Sequence, residues 1–230
     1  SVLIEADTTR FRDLQRNYAS RTNVITLDRI VGYGESDGLD SILAPLPVPR
    51  DFDLLSIDID GNDYHVWKAT SVYQPKVVII EFNPTIPTDI RFVQVADGTV
   101  TQGASLLALV ELGKEKGYEL VSVLHFNAVF VKKEFFAAFE IESNAPAVLR
   151  TDLSSVTYLF SGYDGKIFLR GARRLPWHGI ELDESDVQPL PRFLRRHPGL
   201  YSLPQKVAFA LRHPGRLLEW LRAEGKRLRK

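Results

Sequence analysis

Residues 51–63 read DFDLLSIDIDGND: a short apolar run carrying one carboxylate, Asp58, that closes on Asp60, Gly61, Asn62 and Asp63. A second apolar run, KVVII at 76–80, closes on Glu81 and Asn83. Carboxylates are costly to take out of water without a partner, so several of them beside buried strands require a reason. One is chemistry: in open α/β sheets, ligands gather outside the carboxyl ends of the strands. The other is local, with Asn62 or Asp63 capping the helix that follows; that accounts for Asn62 and Asp63 better than for Asp58 and Asp60. The spacing Asp58-x-Asp60-x-Asn62 imitates the opening of a calcium loop. With Asp63 where such a loop needs glycine and Ala69 where it needs glutamate, calcium of that type is excluded.

These groups need strands and helices to hold them. Residues 2–4, 23–27, 54–59 and 76–80 read as short apolar strands, and the stretch from 64 as a helix. Residues 8–18 form a helix capped by Thr8 or Thr9, residues 39–43 a shorter one, and 104–116 a well-patterned one closed by Gly117. The alternation of helical segments with apolar strands argues for βαβ units and a parallel sheet. Residues 118–124 and 128–131 predict an antiparallel edge pair, 134–139 a short helical piece, and Ser161-Gly-Tyr-Asp-Gly165 a hairpin turn. Between them, residues 84–103 predict a long loop, of the kind that serves as a lid or binding segment or stays disordered.

The composition is that of a globular chain, with 44% hydrophobic and 25% charged residues in 230. The absence of cysteine excludes disulfides, thiol catalysis and thiolate-bound metal. No apolar run approaches the ~20 residues of a membrane span, and no signal peptide is read, so a cytoplasmic chain is expected, with a membrane-peripheral one as the option. The start at Ser1 and the lack of methionine suggest trimming at the N-terminus. A net charge of zero conceals an asymmetry: residues 190–230 carry +9 and the rest −9.

The order of these elements, with the motifs LLSIDIDGNDYHVW, VVIIEFNPTIP, QGASLLALVELGKEKGYELV and SGYDG, resembles class I S-adenosylmethionine-dependent methyltransferases, in the branch near FkbM-like enzymes. The likeness runs over residues 1–180. It implies an α/β, Rossmann-like, mostly parallel sheet with helices on both faces and an antiparallel edge pair, followed by a basic helical tail. Domain bounds of 1–150, 151–189 (a hairpin extension) and 190–230 are expected.

The resemblance also implies roles. Glu5, with Asp7 beside it, stands where the family binds the cofactor's ribose, since one carboxylate can accept from two adjacent hydroxyls; the alternative is a carboxylate favoured at a helix start. Asp58 would border the cofactor pocket and, with Asp60 and His65, take part in catalysis. His65 would serve as general base, or instead only pack its helix. Glu81 and Asn83 would orient the substrate, and Asp60, Glu81 and Asn83 would hold Mg²⁺, as metal-dependent members do. One departure stands out: the family's first strand and glycine-rich loop have no counterpart, and Gly32-x-Gly34 follows a later strand. In the family's strand order 3-2-1-4-5-7-6 that strand lies between the one at 2–4 and the one at 54–59, so its loss would leave two unpaired edges in mid-sheet.

The basic tail reads as amphipathic helical pieces, with Leu217, Leu218, Leu221 and Leu228 beside Arg216, Arg222, Lys226, Arg227 and Arg229. It would dock on the acidic body or on a second subunit, or lie on an anionic membrane surface; no nucleic-acid module accompanies it. A methyltransferase of a small or glycan-like hydroxylated substrate is therefore expected. The alternative is a non-catalytic interaction domain of the same fold, docked through its tail, and a Mg²⁺-assisted hydrolase stands further off.

Overall fold

The computed structural model describes residues 1–215, which are mixed α/β. The chain divides into two compact units, residues 1–153 and 154–230. The C-terminal stripe from Arg216 to Lys230 lies outside the described residues.

The first unit opens with β1 (Val2–Glu5), α1 (Thr8–Tyr18), β2 (Ile25–Asp28), α2 (Leu39–Leu43), β3 (Leu54–Ile57), α3 (Asp63–Ala69) and β4 (Val77–Glu81). It continues with α4 (Leu106–Glu115), β5 (Tyr118–Val123), β6 (Asn127–Lys132), a 3-10 helix at Lys133–Phe139 and α5 (Pro146–Leu149). β1 pairs with β2 in parallel, and β3 with β4 in parallel; β6 then lies antiparallel to both β4 and β5. The antiparallel pair at the edge is therefore present, with β5 outermost.

The sheet is not continuous. β1 and β2 form a sheet of their own, apart from the four strands in the order β3-β4-β6-β5, and parallel and antiparallel pairings are equally represented. Among the described residues both β1 and β3 keep one edge unpaired, and no strand lies between them. A cavity of about 960 Å³ runs there instead, lined by Val2 to Glu5 on one side and Leu54 to Asp58 on the other.

The core sits on the four-stranded side. Val78, Ile80, Ala128 and Phe130 are fully buried in it, and Trp67 packs on Phe130 and Tyr118 with ring centroids 5.0 and 5.7 Å away. Burial pushes the Tyr118 hydroxyl up to about 12; it donates to the Pro75 carbonyl at 2.7 Å, as a buried polar group must. α4 comes close to this cluster through Gly113, where a Cβ would stand 3.0 Å from the Phe130 ring. Gly117, at φ +81°, ends that helix as expected.

Two caps differ from expectation. Asp7, not a threonine, caps α1, its Oδ1 accepting from the Thr9 and Arg10 amides at 2.9 and 2.8 Å. Asn62 precedes α3 without capping it by its side chain.

The second unit contains a hairpin of β7 (Thr157–Ser161) and β8 (Ile167–Gly171), with Gly165 at φ +78° in its turn. The two-residue strands β9 (Arg174–Leu175) and β10 (Ile180–Glu181) follow, then α6 (Leu203–Arg212) behind two 3-10 turns. Gln188 imitates a strand beside β8, accepting from the Ile167 amide at 3.0 Å and donating to its carbonyl at 2.8 Å. Leu203, Val207 and Leu211, one helical turn apart, are left exposed along α6.

Candidate functional site

The register of the parallel pair decides the site. Ile57 faces Ile80, so the next residues, Asp58 and Glu81, leave adjacent strands side by side. Asp60 folds back toward them because the chain turns at once: Asp60 takes φ +57° and Gly61 φ +145°. Aspartate tolerates the left-handed region better than most residues, and glycine alone adopts the second angle readily. One carboxylate oxygen from each of Asp58, Asp60 and Glu81 lies within 4.8 Å of the others.

Asp63 holds this turn in place. Almost completely buried, it accepts from the Ile59 amide and the Gly61 amide, each at 3.0 Å. Burial raises its carboxyl above the usual range, the backbone donors pull the other way, and the Asp58 charge adds to the rise. Glu81 is raised further, to about 7, first by burial and then by Asp63, Asp58 and Asp60. Like charges that close disfavour the ionised form of one another.

The expected long loop at residues 84–103 lies across this turn, and it is ordered by a residue no motif pointed to. Gln94 is buried; its Oε1 accepts from the Gln102 and Gly103 amides, both at 2.7 Å, while its Nε2 donates to the Val100 carbonyl at 2.7 Å and to Asn62 Oδ1 at 3.0 Å. The loop passes so near that a Cβ on Gly61 would stand 2.9 Å from Gln94 Oε1 and 3.2 Å from the Val100 carbonyl. Arg150 grips the loop's start, donating to the carbonyls of Pro84 at 2.6 Å and Ile86 at 2.7 Å, over the Phe82 ring. Neither Gln94 nor Arg150 lies in a recognisable pattern, and only the folded loop reveals them.

The remaining expected residues divide. Glu5 and Asp58 border the same cavity. One oxygen of Glu5 accepts from the Asp7 amide at 2.8 Å, and the other makes no hydrogen bond among the described residues. Asp7 serves α1 as its cap through Oδ1. Asn83 is drawn into the loop rather than toward the carboxylates: its Oδ1 accepts from the Thr85 amide and hydroxyl at 2.9 and 2.7 Å, and its Nδ2 donates to the Gln102 carbonyl at 2.9 Å. His65 donates from Nε2 to the Gln94 carbonyl at 2.9 Å and packs between Tyr33 and Tyr64. A base at this position would therefore have to act through Nδ1.

The donor set fits a hard divalent cation. Three carboxylates on two strand ends, two of them exposed, offer oxygens at the spread that a six-coordinate ion completed by water can gather. For S-adenosylmethionine the fit is confined to the nucleoside end, where Glu5 can accept from a ribose diol. The turn at residues 32–38 turns its donors inward, Gly32 and Gly34 donating to Asp37 at 2.8 Å, and so adds nothing at the amino-acid end. Comparison with protein-family models, curated proteins and solved structures finds no match for the chain. Among the described residues, no helix is long and apolar enough to cross a membrane.

Proposed function

We propose that the first unit is an S-adenosylmethionine-dependent methyltransferase of Rossmann-like type, acting on a hydroxyl of a small or glycan-like substrate with a divalent cation such as Mg²⁺. The observation that carries this reading is the meeting of Asp58, Asp60 and Glu81 at the ends of β3 and β4, beside a cavity that Glu5 borders from β1. Glu5 would take the ribose and Asp58 would border the cofactor. Asp60 and Glu81 would hold the cation, whose chemistry is to bind the acceptor hydroxyl and ease its deprotonation. The cofactor would lie over the strand ends, at the mouth of the cavity.

Titration calorimetry tests this. Mg²⁺ is expected to bind saturably to the native chain and not to the Asp58→Asn/Asp60→Asn double variant. S-adenosylmethionine is expected to bind the native chain in Mg²⁺ and more weakly when Glu5 is changed to Gln. Failure of the cofactor to bind in the presence of Mg²⁺ would defeat the proposal.

A second reading, of an interaction domain that docks through its basic tail, is favoured by the exposed row Leu203, Val207 and Leu211 on α6, flanked by Lys206 and Arg212. Such a face suits an anionic membrane surface. Flotation with phosphatidylserine vesicles, lost when the three apolar residues become serine, would support it, and equal flotation of native and altered chains would remove it.

A further inference from the structure

We infer that the β7–β8 hairpin of the second unit binds single-stranded nucleic acid without reading its sequence, stacking bases on its outward aromatic rings and holding phosphates with the cations beside them. The inference goes beyond methyl transfer and uses nothing in the first unit.

The platform is made by strand pairing rather than by a motif. Phe160 stands opposite Phe168, and Tyr158 opposite Arg170, so the alternation of side chains along each strand puts all four on one face. The Phe160 and Phe168 rings stack with centroids 5.4 Å apart and planes 19° from parallel. Leu169, which points to the other face, is buried, whereas Phe160 is 50% and Tyr158 43% exposed. Large rings held on a strand but left in water gain from a partner that covers them.

The cations stand against the rings. Lys166 Nζ lies 4.6 Å from the Phe168 centroid, and Arg170 Cζ lies 5.4 Å from it and 6.0 Å from that of Phe160. Glu184 fixes both, at 3.2 Å from Lys166 Nζ and 2.8 Å from Arg170 Nη1, with Arg173 Nη2 at 4.0 Å. Three cations on one carboxylate leave that cluster two positive charges in surplus. Asp183 lies near enough to Arg173 to feel its charge, and Asp164 accepts from the Lys166 amide at 3.0 Å. The balance stays positive all the same, since residues 154–230 hold 15 Lys+Arg against 7 Asp+Glu, a net of +8.

The two features together select the occupant. Aromatic rings bordered by cations match a chain in which flat bases alternate with phosphates, and every base has a face to stack. A duplex hides those faces. An anionic lipid surface or a sulfated glycan would engage the cations and leave the rings without a flat partner. A platform of two phenylalanines with Tyr158 beside them suits about two or three bases.

Fluorescence anisotropy on the full chain at about 0.15 M salt tests the inference. The probes are a labelled oligothymidine of about twelve nucleotides and an abasic deoxyribose-phosphate oligomer of the same length, which keeps the phosphates and lacks the bases. Oligothymidine is expected to bind saturably, about tenfold or more tighter than the abasic oligomer, and the Phe160→Ala/Phe168→Ala double variant to lose that preference. Oligouridine should behave as oligothymidine does, since rings and cations read no 2′-hydroxyl. Equal affinity of the native chain for the oligothymidine and the abasic oligomer would overturn the inference, because charge alone would then hold the ligand, as it would a lipid surface or a glycan. Absence of binding would overturn it as well. A photo-cross-link reads the contact in the native chain, whatever the double variant does to folding: oligothymidine carrying 5-iodouracil should attach at Tyr158, Phe160 or Phe168. Attachment confined to residues 190–230 would defeat the inference in favour of the basic tail. None of these readings uses S-adenosylmethionine or Mg²⁺, so loss of the methyl-transfer proposal leaves this one standing, and the converse holds too.

Discussion

Gln94 Nε2 donates to Asn62 Oδ1 at 3.0 Å, joining the loop of residues 84–103 to the acidic turn ahead of α3 through two side chains 32 positions apart. The same Gln94 amide group bonds three further backbone groups of its own loop, so one side chain decides both the loop's shape and its attachment.

Replacing Gln94 by alanine leaves the part-buried backbone donors at Gln102 and Gly103 without their acceptor. A fully buried group left unsatisfied costs about 1–3 kcal/mol; at these part-buried positions the lower end applies, which lowers the melting temperature by a few degrees in a chain of this size. Differential scanning fluorimetry checks this. A melting temperature unchanged from the native chain would mean that the loop is held by other contacts.

Gly61→Ala acts on the same contact from the opposite side. The new methyl would meet Gln94 Oε1 and the Val100 carbonyl, at a backbone angle, φ +145°, that alanine adopts only with strain. Strain of that kind costs about 1–3 kcal/mol. The expected result is a lower melting temperature together with weaker Mg²⁺ binding by calorimetry, since the turn that carries Asp60 shifts. Native Mg²⁺ affinity in this variant would show that the loop's approach does not shape the carboxylate cluster.

Glu81 makes stability depend on pH in a stated direction. Its carboxyl lies near 7 in the folded chain against an ordinary 4.5, so the folded state holds this proton more tightly than the unfolded one. The Glu81 contribution is therefore most favourable below pH 4.5 and falls as pH rises to about 7. Melting temperatures of the native chain and of Glu81→Gln, measured from pH 4.5 to 8 in chelator, should draw apart as pH rises, with the native chain losing ground. Mg²⁺ at pH 8 should close part of that gap by compensating the carboxylates. A gap independent of pH would contradict the raised proton affinity.

Gly113→Ala sets two effects against each other. Alanine gains roughly 1 kcal/mol over glycine in a helix interior. A Cβ 3.0 Å from Phe130 and 3.2 Å from Trp67 overpacks the core, which typically costs about 1–3 kcal/mol. Because both rings are fully buried and hemmed in, the cost should win, with a net loss of up to about 2 kcal/mol. Chemical denaturation measures it, and a stabilised variant would show that the rings give way.

How much of this was legible in the sequence depends on whether a residue works through its neighbours in the chain or through distant ones. The strands at β3 and β4 were plain, because short apolar runs between turn signals carry their own pattern. The parallel register then makes Asp58 and Glu81 neighbours. Asp60 joins them through a backbone reversal that the adjacent Gly61 announces. Asn83 ends β4 in the place where an amide ligand was expected, but Thr85, two residues on, offers nearer donors and takes its oxygen. Gln94 and Arg150 were invisible, since a lone amide and a lone guanidinium in irregular segments have no periodicity; Gln94 reaches six to nine residues on and 32 back, and the loop carbonyls that Arg150 holds lie more than sixty residues away. The two unpaired edges expected between residues 2–4 and 54–59 are present as the break between β1 and β3 among the described residues. The half-covered state of both strands there is a matter of packing that a list of residues does not express.

The small sheet of β1 and β2 has a consequence for handling the protein. Two strands of four residues, backed by α1 with only Phe11 buried, are marginal without further support. That corner should open far more often than the body around Trp67. A protease added to the native chain should thus nick first within residues 1–28, and purified material should age from that end inward.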